Sequence, residues 1–176
     1  KKLSLLTGYE IKREKPKLQQ QDNEIRLSDT IFRKRIFIRV SSKSDIPINF
    51  IYKKPIKTKL DVFIFLAGST SGVHVSWGGT KVPIDHQRVF IGADIAKQAA
   101  ENGYLAVTFE QAGYGERQER NLKQRSQSNT IDHANHLLMI GKTLIGSGAS
   151  ELSSIIDWLC LHNTLIDINK SNIYLF

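Results

Sequence analysis

Asn172-Ile173-Tyr174-Leu175-Phe176 is the last stretch of this 176-residue chain, and it reads as a buried β-strand. Two earlier runs are of the same kind: Val62-Phe63-Ile64-Phe65-Leu66 and Leu105-Ala106-Val107-Thr108-Phe109. Continuous apolar runs, as opposed to alternating ones, mark strands covered on both faces, the situation of a parallel sheet. Helix-length connections separate the three, so residues 60–66, 104–109 and 172–176 are expected to be neighbouring parallel strands, joined by right-handed crossovers. Chemistry in such sheets sits just beyond the carboxyl ends of the strands. A chain ending on one of them is therefore expected to be the front part of an enzyme, with its nucleophile after residue 176.

Working outward, Thr30-to-Val40 and Ile46-to-Tyr52 are alternating or β-branched stretches, expected to form antiparallel strands at the sheet edge. Pro47 and Pro55 bracket the second and argue against a central position. Residues 1–29 are polar and rich in Lys, Gln and Glu and are read as a surface-lying N-terminal segment, with residues 30–176 forming the domain proper. A helix is predicted from about Arg88 to Asn102, with Ile91, Ile95 and Ala99 as its apolar stripe and Asn102-Gly103 as its stop. The long polar stretch from Glu110 to Asp132 is expected to be a functional excursion. Two further helices are centred on Leu137, Ile140 and Leu144, and on Leu152, Ile155, Ile156 and Leu159. Asn169-to-Asn172 reads as the turn into the last strand.

Composition narrows the function classes. The formal charge of +8 is led by Lys12, Arg13, Lys15 and Lys17 and by Arg33-Lys34-Arg35. Neither an aromatic-studded RNA-binding motif nor a zinc pattern accompanies these clusters, so a solvated basic face is favoured and no nucleic acid is expected. A single cysteine, Cys160, excludes an intrachain disulfide and a multi-cysteine metal site. No apolar run is long enough to span a membrane. The sequence starts at Lys1-Lys2 without an initiator Met, which implies that an upstream segment was cleaved or trimmed, and the compartment stays open between cytoplasmic and secreted.

Several motif matches fail on inspection. Gly141-Lys142-Thr143 resembles the end of a phosphate-binding loop, but His136 occupies the position of the required first glycine and the segment is helical. Gly68-Ser69-Thr70-Ser71-Gly72 follows a strand without the spacing of a dinucleotide-binding turn. His133 and His136 share a helix face, yet only Asp132 stands near enough in sequence to complete a metal site, and no metal or cofactor is expected. His74 follows the first apolar strand and is a candidate to line a pocket.

Taken together the residues resemble the α/β-hydrolase family, in its dienelactone-hydrolase and acetyl-xylan-esterase-like branch. Leu66-Ala67-Gly68-Ser69 stands where that family has its strand-end oxyanion turn, and Phe109-Glu110-Gln111-Ala112-Gly113-Tyr114-Gly115-Glu116-Arg117 resembles its Asp-x-Arg-Gly-x-Gly-Glu segment. Gly141-to-Gly146, Asp157-Trp158-Leu159 and Ile173-to-Phe176 resemble the helix and strand that lead to the nucleophile elbow. Ala67 replaces the usual His and Ala112 the usual Arg. The resemblance implies a three-layer α/β fold around a mostly parallel, incomplete sheet with antiparallel edge strands near the N-terminus. It also implies a serine-type hydrolase of small acyl or acetyl esters, with its Ser-Asp-His triad after residue 176. Under it the Ser69 backbone N–H is an oxyanion donor, and Gly68, Thr70, His74 and Tyr114 are candidate substrate contacts. The partners it implies are a small ester and the missing C-terminal half of the same fold. The alternatives are a non-catalytic binding protein on the same fold and a basic module for an anionic polymer.

Overall fold

The structure, a computed structural model, describes residues 2–41, 44–68, 71–118, 126 and 128–176. The three apolar runs lie side by side, as the sequence predicts. Strand β5 (Leu60–Leu66) pairs in parallel with β6 (Leu105–Phe109) on one side and with β7 (Ile168–Leu175) on the other. The remaining strands are β1 (Lys17–Gln21), β2 (Ile25–Arg26), β3 (Ile31–Ser41) and β4 (Ser44–Lys53), which are antiparallel to their neighbours. The spatial order is β1-β3-β4-β6-β5-β7, with β2 also on β3.

Strand β4 is not an edge. It is buried from Ile46 to Tyr52 and lies between β3 and β6. Pro47 is accommodated because β6 pairs only with Ile48–Ile51, so at Pro47 the ladder runs to β3 alone. Strand β7 begins earlier than expected, at Ile168. Leu60 pairs with Ile168 and Val62 with Ile173, so extra residues bulge from β7. Asp61 holds the bulge by accepting from the side-chain amides of Asn169 (3.1 Å) and Asn172 (3.1–3.2 Å). The polar residues that read as a turn form that bulge.

Helices cover both faces of the sheet. On one face, α5 (Leu144–Leu161) buries Ile155, Trp158 and Leu159 against Ile36, Ile48, Phe50, Ile64 and Val107. On the opposite face, α3 (Ile95–Glu101) lays Ala96 and Ala100 on Ile31, Ile51 and Ala106, a smaller core in which short side chains let helix and sheet approach closely. The helix expected over 88–102 is divided: α2 (Pro83–Phe90) ends at Ile91, and α3 starts after Asp94. Gly92, at φ 92°, takes the chain out of the helix, and Ile91 is exposed where the single-helix reading buried it. Likewise α4 spans Asn129–Met139, started by the Ser128 side chain accepting from the Ile131 N–H. Ile140 lies past its end and Leu144 opens α5 instead.

Residues 2–13 run along α5. Helix α1 (Lys2–Thr7) presents the Thr7 carbonyl to the Thr143 N–H (3.1 Å) and hydroxyl (2.7 Å). The Glu10 N–H then donates to Ser150 (2.9 Å), and Arg13 pairs with Asp157 at 2.8 Å.

Strand β7 is the outer strand on its side of the described sheet and carries Tyr174 and Leu175, with Phe176 directly after it, the three between 48% and 67% exposed. An apolar outer strand is a template for pairing with another chain. The 176-residue chain is expected to associate with rising concentration, and Leu175→Lys to shift it toward monomer in sedimentation velocity. Equal sedimentation of the two chains at all concentrations would contradict this.

Candidate functional site at the carboxyl ends of the strands

Three parallel strands deliver their carboxyl ends to one place. The Leu66 N–H donates to the Phe176 carbonyl (3.0 Å) and the Phe176 N–H to the Ile64 carbonyl (2.9 Å), which locks the end of β7 beside that of β5. The Gln111 side chain donates to the Ala67 carbonyl at 3.1 Å, tying in the end of β6. Gly68, which follows, is exposed, and the space a Cβ would occupy there is open. Ser69 and Thr70 lie outside the described residues.

The chain is held again from Ser71 onward. The Val73 N–H donates to the Glu110 carboxylate at 2.6 Å, and Glu110 is only 4% exposed. Two glycines make room for this carboxylate. A Cβ on Gly72 would stand 2.9 Å from Glu110 Oε1 and 2.7 Å from His74 Nδ1, and one on Gly115 (φ 48°) would stand 2.1 Å from Oε1. Gly115 of the Gly-x-Gly segment is thus explained by contact with Glu110. Burial pushes the Glu110 carboxyl up from its ordinary value, the Val73 N–H opposes the rise, and the Glu116 charge adds to it.

Asp85 is the second anchor. It is fully buried at the third position of α2, where its carboxylate reaches back to the Val82 N–H (3.1 Å) and the Lys81 N–H (2.9 Å). His74 Nε2 lies 2.9 Å from Oδ2, the Ser71 hydroxyl donates to Oδ1, and Arg88 approaches Oδ1 at 3.5 Å. Burial raises the Asp85 carboxyl, but the hydrogen bonds from Ser71, His74, Lys81 and Val82 outweigh it and hold the group well below the usual carboxylate range.

Serine, histidine and aspartate therefore meet here without making a catalytic triad. In a triad the histidine bonds the serine on one side and the acid on the other. In this cluster Ser71 and His74 both bond Asp85, so the acid is the hub and the serine is not activated. The cluster fixes the shape of the loop from Ser71 to Asp85. His74 is buried with one ring nitrogen engaged by Asp85. Tyr114 starts the short 3-10 turn Gly115–Arg117, with its N–H donating to the Gln111 carbonyl and its carbonyl accepting from Arg117.

That turn is secured from the other side of the sheet. Arg117 makes two bonds to the Glu151 carboxylate of α5, at 2.7 and 2.6 Å, and one to the Glu110 carbonyl at 2.9 Å. Among the described residues no group of three or more His, Cys, Asp or Glu side chains is arranged to hold a metal, and no helix is long and apolar enough to cross a membrane. Sequence reasoning missed Asp85, Glu110 and Glu151 as anchors. Only Asp85 carried a local signal, the Pro83-Ile84-Asp85 start of a helix.

A mixed sheet in this strand order, with helices on both faces and loops gathered at the carboxyl ends of the parallel strands, is an α/β-hydrolase-type architecture. The chain is similar in structure to a Bacteroides fragilis protein provisionally described as an acetyl xylan esterase, with a TM-score of 0.77 at 14% identity. It is also similar to the methylesterase BT1017 (TM-score 0.57, 14% identity) and to a glucuronoyl esterase from Solibacter usitatus (TM-score 0.54, 13% identity). These matches cover 99%, 99% and 94% of this chain but 44%, 32% and 45% of those proteins, so the chain spans less than half of their length. At such identities the likeness is one of fold. No family model matches the sequence, and neither does any curated protein.

Proposed function

We propose that this chain forms the oxyanion side of a serine-type carboxylic-ester hydrolase acting on small acyl esters, in which the serine stands on the turn that continues β7 past Phe176. The observation that carries the reading is the reciprocal backbone bonding of Leu66, Ile64 and Phe176, which sets the Gly68 turn directly beside the end of β7. On this proposal a nucleophile leaving β7 attacks a carbonyl whose developing oxyanion is received by the turn that follows β5. The esterase descriptions of structurally similar proteins support the same reading. On this reading the Ser69 backbone N–H is the donor, Gly68, Thr70 and Tyr114 border the substrate, and His74 supports the loop from behind. The chain's partners are the ester and the rest of its own fold.

The test uses the chain extended through its downstream sequence, assayed on 4-nitrophenyl acetate and labelled with a fluorophosphonate. The label is expected on a serine after residue 176, and labelling of Ser71 would overturn the proposal. Ser69→Ala should leave turnover largely intact because the donor is backbone. Ser69→Pro, which deletes it, should lower turnover roughly a hundredfold. A folded proline variant working at the parent rate removes Ser69 from the mechanism.

A further inference from the structure

Seven large aliphatic side chains stand out from the surface at one place. Leu3, Leu5 and Leu6 lie on α1, Leu138, Met139 and Ile140 at the end of α4, and Ile145 in the first turn of α5, each between 60% and 84% exposed. The backbone brings the three groups together. The Thr143 N–H and hydroxyl both donate to the Thr7 carbonyl, and a Cβ on Gly8 would stand 2.7 Å from Lys142 Cα. The end of α1 is therefore pressed against the link between α4 and α5. Single exposed aliphatic residues are ordinary, but a contiguous apolar patch above a few hundred Å² is rare on a monomer unless something docks on it.

Charge beside the patch has one sign. Residues 1–9 and 137–150 contain Lys1, Lys2 and Lys142 and no acidic residue. Lys142 pairs with Glu10, while Lys2 is exposed on α1. Over residues 1–17 six basic side chains stand against two acidic ones, a surplus of four within the chain's net +8. The patch also lies away from the open side of the sheet. Gly8 and Lys142 border a cavity of about 260 Å³ together with Val40, Ser41 and Ser44, at the ends of β3 and β4. Strands β6 and β5 separate β4 from β7, so strands added beyond β7 extend the sheet away from the patch.

The chemistry of the partner follows from these side chains. Protein interfaces centre on aromatic and Arg anchors seated in pockets. Here all seven are aliphatic and stand clear of the surface, and none of them lines the neighbouring cavity. Aliphatic tips without hydrogen-bonding groups suit the acyl boundary of a bilayer, and lysines beside them suit an anionic headgroup layer. We propose that this patch docks the protein on the surface of an anionic lipid bilayer, with Leu5, Leu6, Met139 and Ile140 entering the acyl boundary and Lys2 lying against the phosphate groups. The attachment is peripheral, and it is independent of the ester-hydrolysis reading.

The probe is a sucrose-loaded vesicle of phosphatidylcholine and phosphatidylglycerol in equal amounts, sedimented with the 176-residue chain at constant ionic strength. Binding is expected, and vesicles of phosphatidylcholine alone should bind about fivefold more weakly or worse, the factor made by about 1 kcal/mol for one basic side chain at an anionic surface. Met139→Ser with Ile140→Ser should weaken binding to the mixed vesicles about tenfold or more, a factor smaller than full burial of one such side chain produces. Leu5→Ser with Leu6→Ser should do the same, and gives a second reading in case the first pair disturbs the link between α4 and α5. Circular dichroism checks that each variant is folded. Failure of the folded parent to sediment with the mixed vesicles would overturn the proposal, as would equal binding to the neutral ones. So would undiminished binding by both folded double variants, which would assign the attraction to the basic clusters alone. Self-association in sedimentation velocity that the Met139 and Ile140 variant loses while it keeps vesicle binding would also overturn it, and make a second copy of the chain the occupant.

Discussion

Asp85→Ala is expected to lower the stability of this chain by about 3–5 kcal/mol, the range for breaking a buried charged network by removing one partner. The carboxylate is fully buried and is met by the Ser71 hydroxyl, His74, and the Lys81 and Val82 N–H groups, with Arg88 at 3.5 Å. Alanine leaves those donors facing one another in a dry space. Asp85→Asn keeps the shape and part of the acceptor capacity and should lose less. The pH dependence separates charge from shape. Because the folded carboxyl sits below its unfolded value, ionised Asp85 stabilises the fold at neutral pH. That contribution declines as pH falls below about 3.9, where the unfolded chain takes up a proton that the folded chain refuses. The parent should therefore lose more stability than Asp85→Asn between neutral and acidic pH in urea titrations. Parallel losses in the two chains would show that the carboxylate's charge is not what holds the loop.

Arg117→Ala is expected to be as damaging, again about 3–5 kcal/mol, because it strands the buried Glu151 charge. Their side chains are 13% and 11% exposed, so water does little to screen the pair. Arg117 also bonds the Glu110 carbonyl, and its loss should loosen the turn that carries Gly115. Replacing both partners, as Arg117→Met with Glu151→Leu, should recover most of the stability, since apolar residues of similar volume remove the desolvation cost along with the attraction. Chemical denaturation of the two single variants and the double variant measures this directly. A single variant losing less than about 1 kcal/mol would place the pair among solvated ion pairs, whose worth is of that order.

The two anchors explain why the site was only partly legible in the sequence. Gly68 and the end of β7 could be located because each closes a continuous apolar run, and such runs carry their own structural signal. The partners of Asp85 lie within 14 residues, but those of the other anchors are remote: Glu110 and Val73 are 37 residues apart, and Arg117 and Glu151 are 34. Charged residues in a polar stretch read as solvated until the fold shows what covers them. Arg33 and Arg35 are half-buried beside the 73–81 loop, a placement that a basic tripeptide does not announce, since it looks alike on an open face and over a cavity. Tyr114 and Thr70 were drawn from a resemblance, Thr70 lies outside the described residues, and Tyr114 remains part of the proposed substrate border.

The same division runs through the fold. Periodicity and apolar content determined that 60–66, 104–109 and 172–176 are parallel neighbours and that Ile155 and Leu159 face a core, because burial on both faces leaves no polar positions to misread. Gly92 was visible but carried too little weight against the helical pattern on either side, and the chain breaks there. The placement of β4 in the middle of the sheet was decided by tertiary structure alone: β6 inserts between β4 and β5 and pairs just past Pro47, a choice that depends on a strand more than fifty residues away. The bulge in β7 was decided likewise, by Asp61 reaching across to Asn169 and Asn172. Local sequence specifies what kind of element a segment forms, while the pairing of distant polar groups, each costly to bury alone, selects where those elements and their loops come to rest.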